Sequence, residues 1–462
     1  MSRSAAAVNS VIKAYDVRGV VGEQIDEAFV AEVGAAFARL VRPISTRVVI
    51  GHDMRASSPD LAEAFGNGVR AQGLDVVRIG LASTDQLYFA SGLLDCAGAM
   101  FTASHNPAAY NGIKLCRPGA KPVGQDTGLA TIREEIIAGV PAHDGPPGTV
   151  TDRDVLADYG AHLRGLVDLT GCRPLRVAVD AGNGMAGHTA PAVFGPIDAL
   201  TVLPLYFELD GSFPNHEANP LDPANLVDLQ RFVVDSGADI GLAFDGDADR
   251  CFVVDERGQA VSPSAVTALV ATRELAREPG ATIIYNLITS RAVPEMVTEG
   301  GGKPVRSRVG HSYIKALMAD SGAIFGGEHS AHYYFRDFWG ADSGMLAALH
   351  VLAALGGQDR ALSELAAGYE RYAASGEINF TVADAPAAVA AVLAAFAPDI
   401  VSTDELDGVT VDLGAGRWFN LRSSNTEPLL RLNAEAPDAD AVAAIVERVS
   451  AVIAGPEETA AP

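Results

Sequence analysis

The stretch AFDGDADRC, residues 243–251, sets Asp245, Asp247 and Asp249 at alternate positions between two apolar runs, DIGLAF and CFVVD. Alternate side chains of an extended loop point the same way, so the three carboxylates can converge, and Gly246 lets the backbone turn tightly between them. Hard divalent cations take oxygen ligands of this kind, and Mg²⁺ usually binds a few carboxylates together with a phosphate. An EF-hand is a competing pattern, because Asp245 starts a D-x-D-x-D run and Glu256 falls at its twelfth position. That pattern fails at its sixth position, which requires glycine and is Arg250 here, and a strand rather than a helix follows. A plain solvated turn is disfavoured as well, since three carboxylates between buried strands repel one another without a cation.

A second stretch, TASHNPAAYNGIK at 102–114, places Ser104, His105, Asn106 and Pro107 directly after an apolar strand. A serine hydroxyl can carry a transferable phosphoryl group, and a phosphoserine with charge near −2 is a natural extra ligand for a cation held by three carboxylates. Lys114 is the kind of point charge that steadies a transferring phosphoryl group. On its own residues, SHNP reads equally well as a turn in which Asn106 bonds backbone ahead of Pro107.

Three further loops carry polar side chains. VGHSYIK at 309–315 and GGEHSAHYYF at 326–335 set them beside glycines that permit close approach of a ligand. His311 is a candidate general acid or base because its ordinary pKa lies near neutrality. Glu328 and Ser330 can accept from and donate to sugar hydroxyls, with His332 assisting, although either histidine taken singly fits a structural role equally. RSSNTEP at 422–428 gathers Arg422, Ser424, Asn425 and Thr426, a guanidinium with short donors that suits a phosphate and that also fits a polar hairpin turn. Arg18, in YDVRG, offers a second cation.

These loops need a frame. Strand-like β-branched runs alternate with alanine-rich helical stretches, the pattern of α/β units with largely parallel sheets. Three strands run into similar polar turns, TRVVIGHDMR at 46–55, LRVAVDAGNG at 175–184 and ATIIYNLITSR at 281–291, and the recurrence points to three related α/β domains. GVPAHDGPPGTV at 139–150 is a linker rich in proline and glycine, with further boundaries expected near 255–263 and 372–376. The last segment reads as a distinct α+β layer. The expected division is therefore 1–150, 151–256, 257–373 and 374–462. The alanine-rich AAVAAVLAAFA at 387–397 is short of the ~20 residues that span a bilayer and reads as a buried or half-buried helix.

A chain of 462 residues exceeds what one core supports, and its 48% apolar, 20% charged composition is that of a globular protein. With 34 basic against 58 acidic side chains, the formal net charge is −24, which disfavours nucleic acid and anionic membranes as partners. An anionic substrate then needs a locally positive cleft. The four cysteines form no CxxC pair, which points to reduced thiols in a cytoplasmic protein, and the N-terminus has no signal-peptide pattern.

Taken together, TASHNP, DGDADR, GEHSAH and RSSNTEP resemble the phosphoserine, metal, sugar and phosphate loops of the α-D-phosphohexomutase superfamily, over essentially the whole chain. The resemblance implies four domains around a central active-site cleft, each supplying one loop. It implies Ser104 as phosphoryl carrier and metal ligand, Asp245, Asp247 and Asp249 as Mg²⁺ ligands, and Glu328 and Ser330 as sugar ligands. Arg422, Ser424, Asn425 and Thr426 would hold the distal phosphate, with Arg18, Lys114, Arg250, His311 and His332 in support. GEHSAH is similar to the mannomutase type of loop, and its surroundings are similar to actinobacterial phosphomannomutases, which implies interconversion of mannose 6-phosphate and mannose 1-phosphate through a hexose 1,6-bisphosphate that also serves as activator. Alternatives are a phosphoglucomutase or phosphoglucosamine mutase of the same superfamily and, in another class, a metal-dependent sugar phosphatase. NLITSR departs from the family pattern: Ile288 stands where a lysine is common, with Arg291 as the nearby cation. Small-molecule sugar phosphates are the expected partners of a monomer or small homo-oligomer.

Overall fold

The computed structural model describes residues 4–423 and 429–454. Three mixed sheets and one antiparallel sheet succeed each other along the chain. In the first, strands Ala97–Phe101, Arg47–His52, Asp75–Leu81 and Val150–Asp152 run parallel, and Tyr110–Arg117 turns back antiparallel beside Ala97–Phe101. Val17–Val20 closes that edge against Tyr110–Arg117. In the second, Ile240–Phe244, Leu175–Asp180 and Leu200–Leu205 are parallel, with Cys251–Asp255 antiparallel to Ile240–Phe244. In the third, Lys303–Ser307, Thr282–Asn286 and Phe325–Gly327 are parallel, with Tyr333–Phe335 antiparallel to Phe325–Gly327. The three recurring strands, Arg47–His52, Leu175–Asp180 and Thr282–Asn286, each lie between two parallel neighbours, which is the physical basis of the repeat.

This shared topology positions the chemistry. TASHNP, DGDADR and EHSAH are each the loop by which a parallel strand reverses into an antiparallel one, after Phe101, Phe244 and Gly327. The strands before the loops are buried on both faces, so their apolar runs anchor the loop stems. Three loops that look unrelated in sequence therefore leave equivalent corners of equivalent sheets.

The fourth sheet is antiparallel throughout, in the order Ala373–Thr381, Leu429–Ala436, Arg417–Ser423, Val409–Gly414 and Ser402–Asp404. Its first strand starts earlier than the run EINFTV suggests, and Ser402–Asp404 was not legible as a strand because all three residues are exposed. The alanine-rich stretch is the helix Ala385–Phe396, with Val392 and Phe396 buried, so it is half-buried. Val150–Asp152 follows the Pro/Gly linker yet pairs with Asp75–Leu81, so the chain completes the first sheet after the linker. Among the described residues no helix is long and apolar enough to cross a membrane, and all four cysteines are free.

One apolar core runs from Val49 to Ala366 and is shared by the first three sheets, whereas the fourth sheet has a core of its own, from Val392 to Val449. At the centre of the shared core lies Asp85, fully buried. Its carboxylate accepts from Tyr159 Oη at 2.7 Å, from Ser343 Oγ at 2.6 Å and from Ser83 Oγ. The three donors come from the helix Leu156–Leu166, from the cap of the helix Gly344–Gly356 and from the turn before Thr84–Leu94, so one carboxylate ties three domains together.

Burial pushes the Asp85 carboxyl up to about 7, against the pull of its three hydroxyl donors. The unfolded carboxyl titrates near ~4, so the native state binds more protons between about pH 4 and about pH 7, and stability falls as pH rises through that window. Asp85→Asn should flatten this dependence of the three-domain block while lowering its stability at low pH by about 1–3 kcal/mol. Calorimetric unfolding across that range checks it; an unchanged slope would refute it.

Candidate active site

Ser104 is buried and its backbone is left-handed, with φ 51°. Its amide donates to Thr102 Oγ1 at 2.8 Å, and its Oγ donates to Asp245 Oδ2 at 2.9 Å across 141 positions of sequence. Gly246 is required by this meeting, because a Cβ there would stand 2.4 Å from the Ser104 carbonyl oxygen. The serine loop of the first domain and the acidic loop of the second are thus in direct contact.

Asp245, Asp247 and Asp249 are all buried, and one oxygen from each lies within 4.8 Å of the others. Lys114 Nζ donates to Asp247 Oδ2 and to Asp249 Oδ2, both at 2.6 Å. Arg250 Nε donates to Asp245 Oδ2 at 2.9 Å, and Thr84 Oγ1 donates to Asp247 Oδ2 at 2.6 Å. Two cations face three carboxylates. Burial, aided by repulsion from its two neighbours, pushes the Asp245 carboxyl up to about 8 despite Arg250. Burial also opposes charge on Asp247, but Lys114 and Thr84 outweigh it and hold that carboxyl well below the usual range. Lys114 is desolvated too, yet Asp247 and Asp249 keep its ammonium well above the ordinary lysine value.

This arrangement fits a hard divalent cation. Asp247 Oδ1 and Asp249 Oδ1 are buried without a hydrogen-bond partner, and three buried carboxylates face only two cations. The acidic loop keeps the shape this needs through Ala248, left-handed with φ 61°.

Arg18 reaches the serine loop, donating through Nη1 to Asn106 Oδ1 at 2.7 Å while paired with Asp16 at 2.6 Å. His105 Nδ1 lies 3.2 Å from Ser104 Oγ. Burial, with Arg250 and Arg18 nearby, holds the imidazole well below its ordinary value and therefore neutral. His105 was quoted in the motif without being assigned a role.

From the third domain, His332 pairs backbone to backbone with Arg250, and its Nε2 is 3.8 Å from Asp249 Oδ1. Its Nδ1 lies 3.1 Å from Ser330 Oγ and 3.8 Å from Glu328 Oε2. Glu328 is buried and already engaged: Oε1 accepts from Asn286 Nδ2 at 3.2 Å and from the Gly310 amide at 3.1 Å, and Oε2 accepts from Tyr334 Oη at 2.8 Å. Asn286 and Tyr334 were not flagged in the sequence, since an asparagine ending a strand and a tyrosine in an aromatic run carry no local signal. His311 opens the helix His311–Ser321.

Arg422 projects from Arg417–Ser423 directly opposite Arg431 of Leu429–Ala436. The two guanidiniums share Glu377, each at 3.6 Å, and the Nε of each is buried without a hydrogen-bond partner. This is the positive patch that an acidic chain needs for an anion. Arg431 was legible only as part of a strand; its register against Arg422 supplies the signal. Ser424, Asn425 and Thr426 lie outside the described residues. Arg291 points to the last domain, pairing with Asp412 while its amide donates to Glu435 Oε1 at 3.0 Å. Ile288 lines a cavity of about 260 Å³ with Ser264, His329, Trp418 and Asn433.

Comparison with known proteins matches four consecutive segments to the phosphoglucomutase/phosphomannomutase domains: alpha/beta/alpha domain I at 9–140, domain II at 157–258, domain III at 262–372 and the C-terminal domain at 377–452. The phosphohexose mutases of Xanthomonas campestris pv. campestris are 42% identical over 425 residues, covering 92% of this chain and 94% of that one. A phosphomannomutase of Salmonella typhimurium is 40% identical over 431 residues, with the same coverage. The crystal structure of a phosphoglucomutase/phosphomannomutase family protein from Burkholderia thailandensis superposes with a TM-score of 0.87 at 33% identity, covering 96% of each chain. With all four domains present in order and relatives this similar over nine-tenths of its length, the chain belongs to the phosphoglucomutase/phosphomannomutase family of the α-D-phosphohexomutases.

Proposed function

We propose that the protein is a phosphomannomutase that interconverts mannose 6-phosphate and mannose 1-phosphate through phospho-Ser104 and a hexose 1,6-bisphosphate. The observation that carries this reading is the hydrogen bond from Ser104 Oγ to Asp245, which sets a transferable hydroxyl against an acidic, cation-ready trio. In the forward half-reaction the bond between phosphorus and Ser104 Oγ breaks as one to the free sugar oxygen forms. The sugar hydroxyl's proton is taken by His332, placed between Asp249 and Glu328. That proton passes on to Ser104 Oγ as its bond to phosphorus breaks, restoring the hydroxyl that donates to Asp245. The bisphosphate then turns over and returns its other phosphate to Ser104.

Lys114, fixed by two carboxylates, lies beside the transferring group as a permanent cation. Mg²⁺ held by Asp245, Asp247 and Asp249, with phospho-Ser104 as a further ligand, would neutralise charge on the phosphoryl oxygens. Arg422, Arg431 and the RSSNTEP loop hold the phosphate that is not reacting. Mannose rests on the GEHSAH loop and on the names of the relatives near 40% identity. A broader specificity that includes glucose phosphates is the second reading, favoured by Ile288, an apolar side chain where the family commonly has a lysine, and by the phosphohexose mutase relatives.

Ser104→Ala should abolish isomerisation, and intact mass should show one phosphate on the wild-type chain that the variant lacks; near wild-type turnover in the variant would refute the carrier. Arg422→Ala should raise KM for monophosphates by the equivalent of about 1.5–3 kcal/mol, the loss of a charge-assisted hydrogen bond, with a smaller change in kcat. Chelation should silence the enzyme and Mg²⁺ restore it, with calorimetric Mg²⁺ binding weakened in Asp247→Asn. The ratio of kcat/KM for mannose 1-phosphate and glucose 1-phosphate decides between the narrow and the broad reading, and release of inorganic phosphate faster than isomerisation would favour a phosphatase.

A further inference from the structure

The polar turn GHDMR ends the first recurring strand, Arg47–His52. Arg55 lies in it with its side chain 1% exposed, and all five of its guanidinium N–H groups find acceptors. Nε donates to Asp53 Oδ2 at 3.2 Å. The other four N–H groups meet main-chain carbonyls of one loop: Nη1 reaches Pro107 at 2.9 Å and Tyr110 at 3.1 Å, and Nη2 reaches Ser104 at 3.0 Å and Asn106 at 2.7 Å. The whole span from Ser104 to Tyr110 is therefore pinned to a single planar group.

That group is itself immobilised. Asp53 is buried and accepts from Ser58 Oγ at 2.6 Å and from the Arg55 amide at 3.0 Å. The second domain closes the other side, with the Phe213 ring centre 5.1 Å from the guanidinium carbon and Gly211 so near that a Cβ there would stand 2.7 Å from Arg55 Cα. The Ser104 carbonyl lies between Arg55 and Gly246 of the acidic loop. A serine in the left-handed region is strained and persists only where its surroundings over-determine it.

We propose that Arg55 is a positioning residue for phosphoryl transfer: its five-point grip on the 104–110 backbone fixes Ser104 in the left-handed conformation that aims Oγ at the acidic trio. The role rests on the reading of Ser104 as phosphoryl carrier. It demands arginine specifically, because the three donors of a lysine radiate from one atom and cannot serve carbonyls six positions apart along with Asp53.

Two measurements test the grip. Backbone hydrogen exchange on the wild-type chain, without substrate or metal, should show the Asn106 amide protected as strongly as those of the strand Ala97–Phe101; exchange at the rate of an exposed turn overturns the proposal. Arg55→Lys should lower kcat by about 10²-fold with KM within about threefold, the signature of a misaimed reacting atom rather than of lost binding. A folded Arg55→Lys enzyme with kcat within about threefold of wild type also overturns it. The exchange result requires no variant to fold. The mass of wild-type enzyme after incubation with glucose 1,6-bisphosphate reads the phosphoryl carrier independently, so failure of the grip and failure of the carrier are seen separately.

Discussion

The burial of Asp245, Asp247 and Asp249 is the constraint around which the first two domains are arranged. Three carboxylates cannot be removed from water without partners, and the second domain supplies one full countercharge, Arg250. The rest comes from the first domain: the Lys114 ammonium, the Thr84 hydroxyl and Ser104 Oγ. Docking the two domains is therefore the same event as neutralising the site. Buried ion pairs of this kind add little net stability, but removing one partner strands a charge, so they specify a register. Asp85, one residue after Thr84, extends that register to the third domain through Ser343.

The last domain obeys a different rule. It has its own core, and polar links join it to the third domain: Arg291 with Asp412 and Glu435, Arg306 with Asp404 at 2.6 Å, and the Val309 amide with Asp407 at 3.2 Å. An interface of hydrogen bonds and ion pairs can be remade after a displacement, whereas one continuous apolar core cannot. That contrast suits a reaction in which one phosphate is held by the last domain while the other reacts at Ser104, and in which the sugar must turn between half-reactions.

The chemistry was legible where it is local. DGDADR reveals itself because the alternation of charge needs only the five consecutive residues 245–249, and the four-loop pattern led to the correct family. The fold class followed from alternating strands and helices. What the sequence hides acts at a distance: Arg55 grips a loop about fifty residues away, Thr84 meets Asp247 163 positions on, and Asn286 and Tyr334 matter because both end on Glu328. Glu328 itself was read as a group free to meet sugar hydroxyls, yet both its oxygens are engaged by the protein, so any sugar must share or displace those donors. Register was equally hidden, since Arg431 becomes a neighbour of Arg422 only through the pairing of two strands.

The charge distribution resolves the apparent conflict between a chain of net charge −24 and an anionic substrate. At the Ser104 end the two cations are matched by three aspartates, so the protein alone offers a phosphate no excess of positive charge there. At the Arg422 end two guanidiniums share a single carboxylate, leaving a positive excess on a half-buried sheet face. A divalent cation in the acidic trio adds positive charge at the first end only. In the proposed reaction a bisphosphate would then meet positive charge at both ends. On the proposed reading a cation in the trio would therefore favour the approach of the reacting phosphate, at the same three carboxylates whose burial holds the first two domains together.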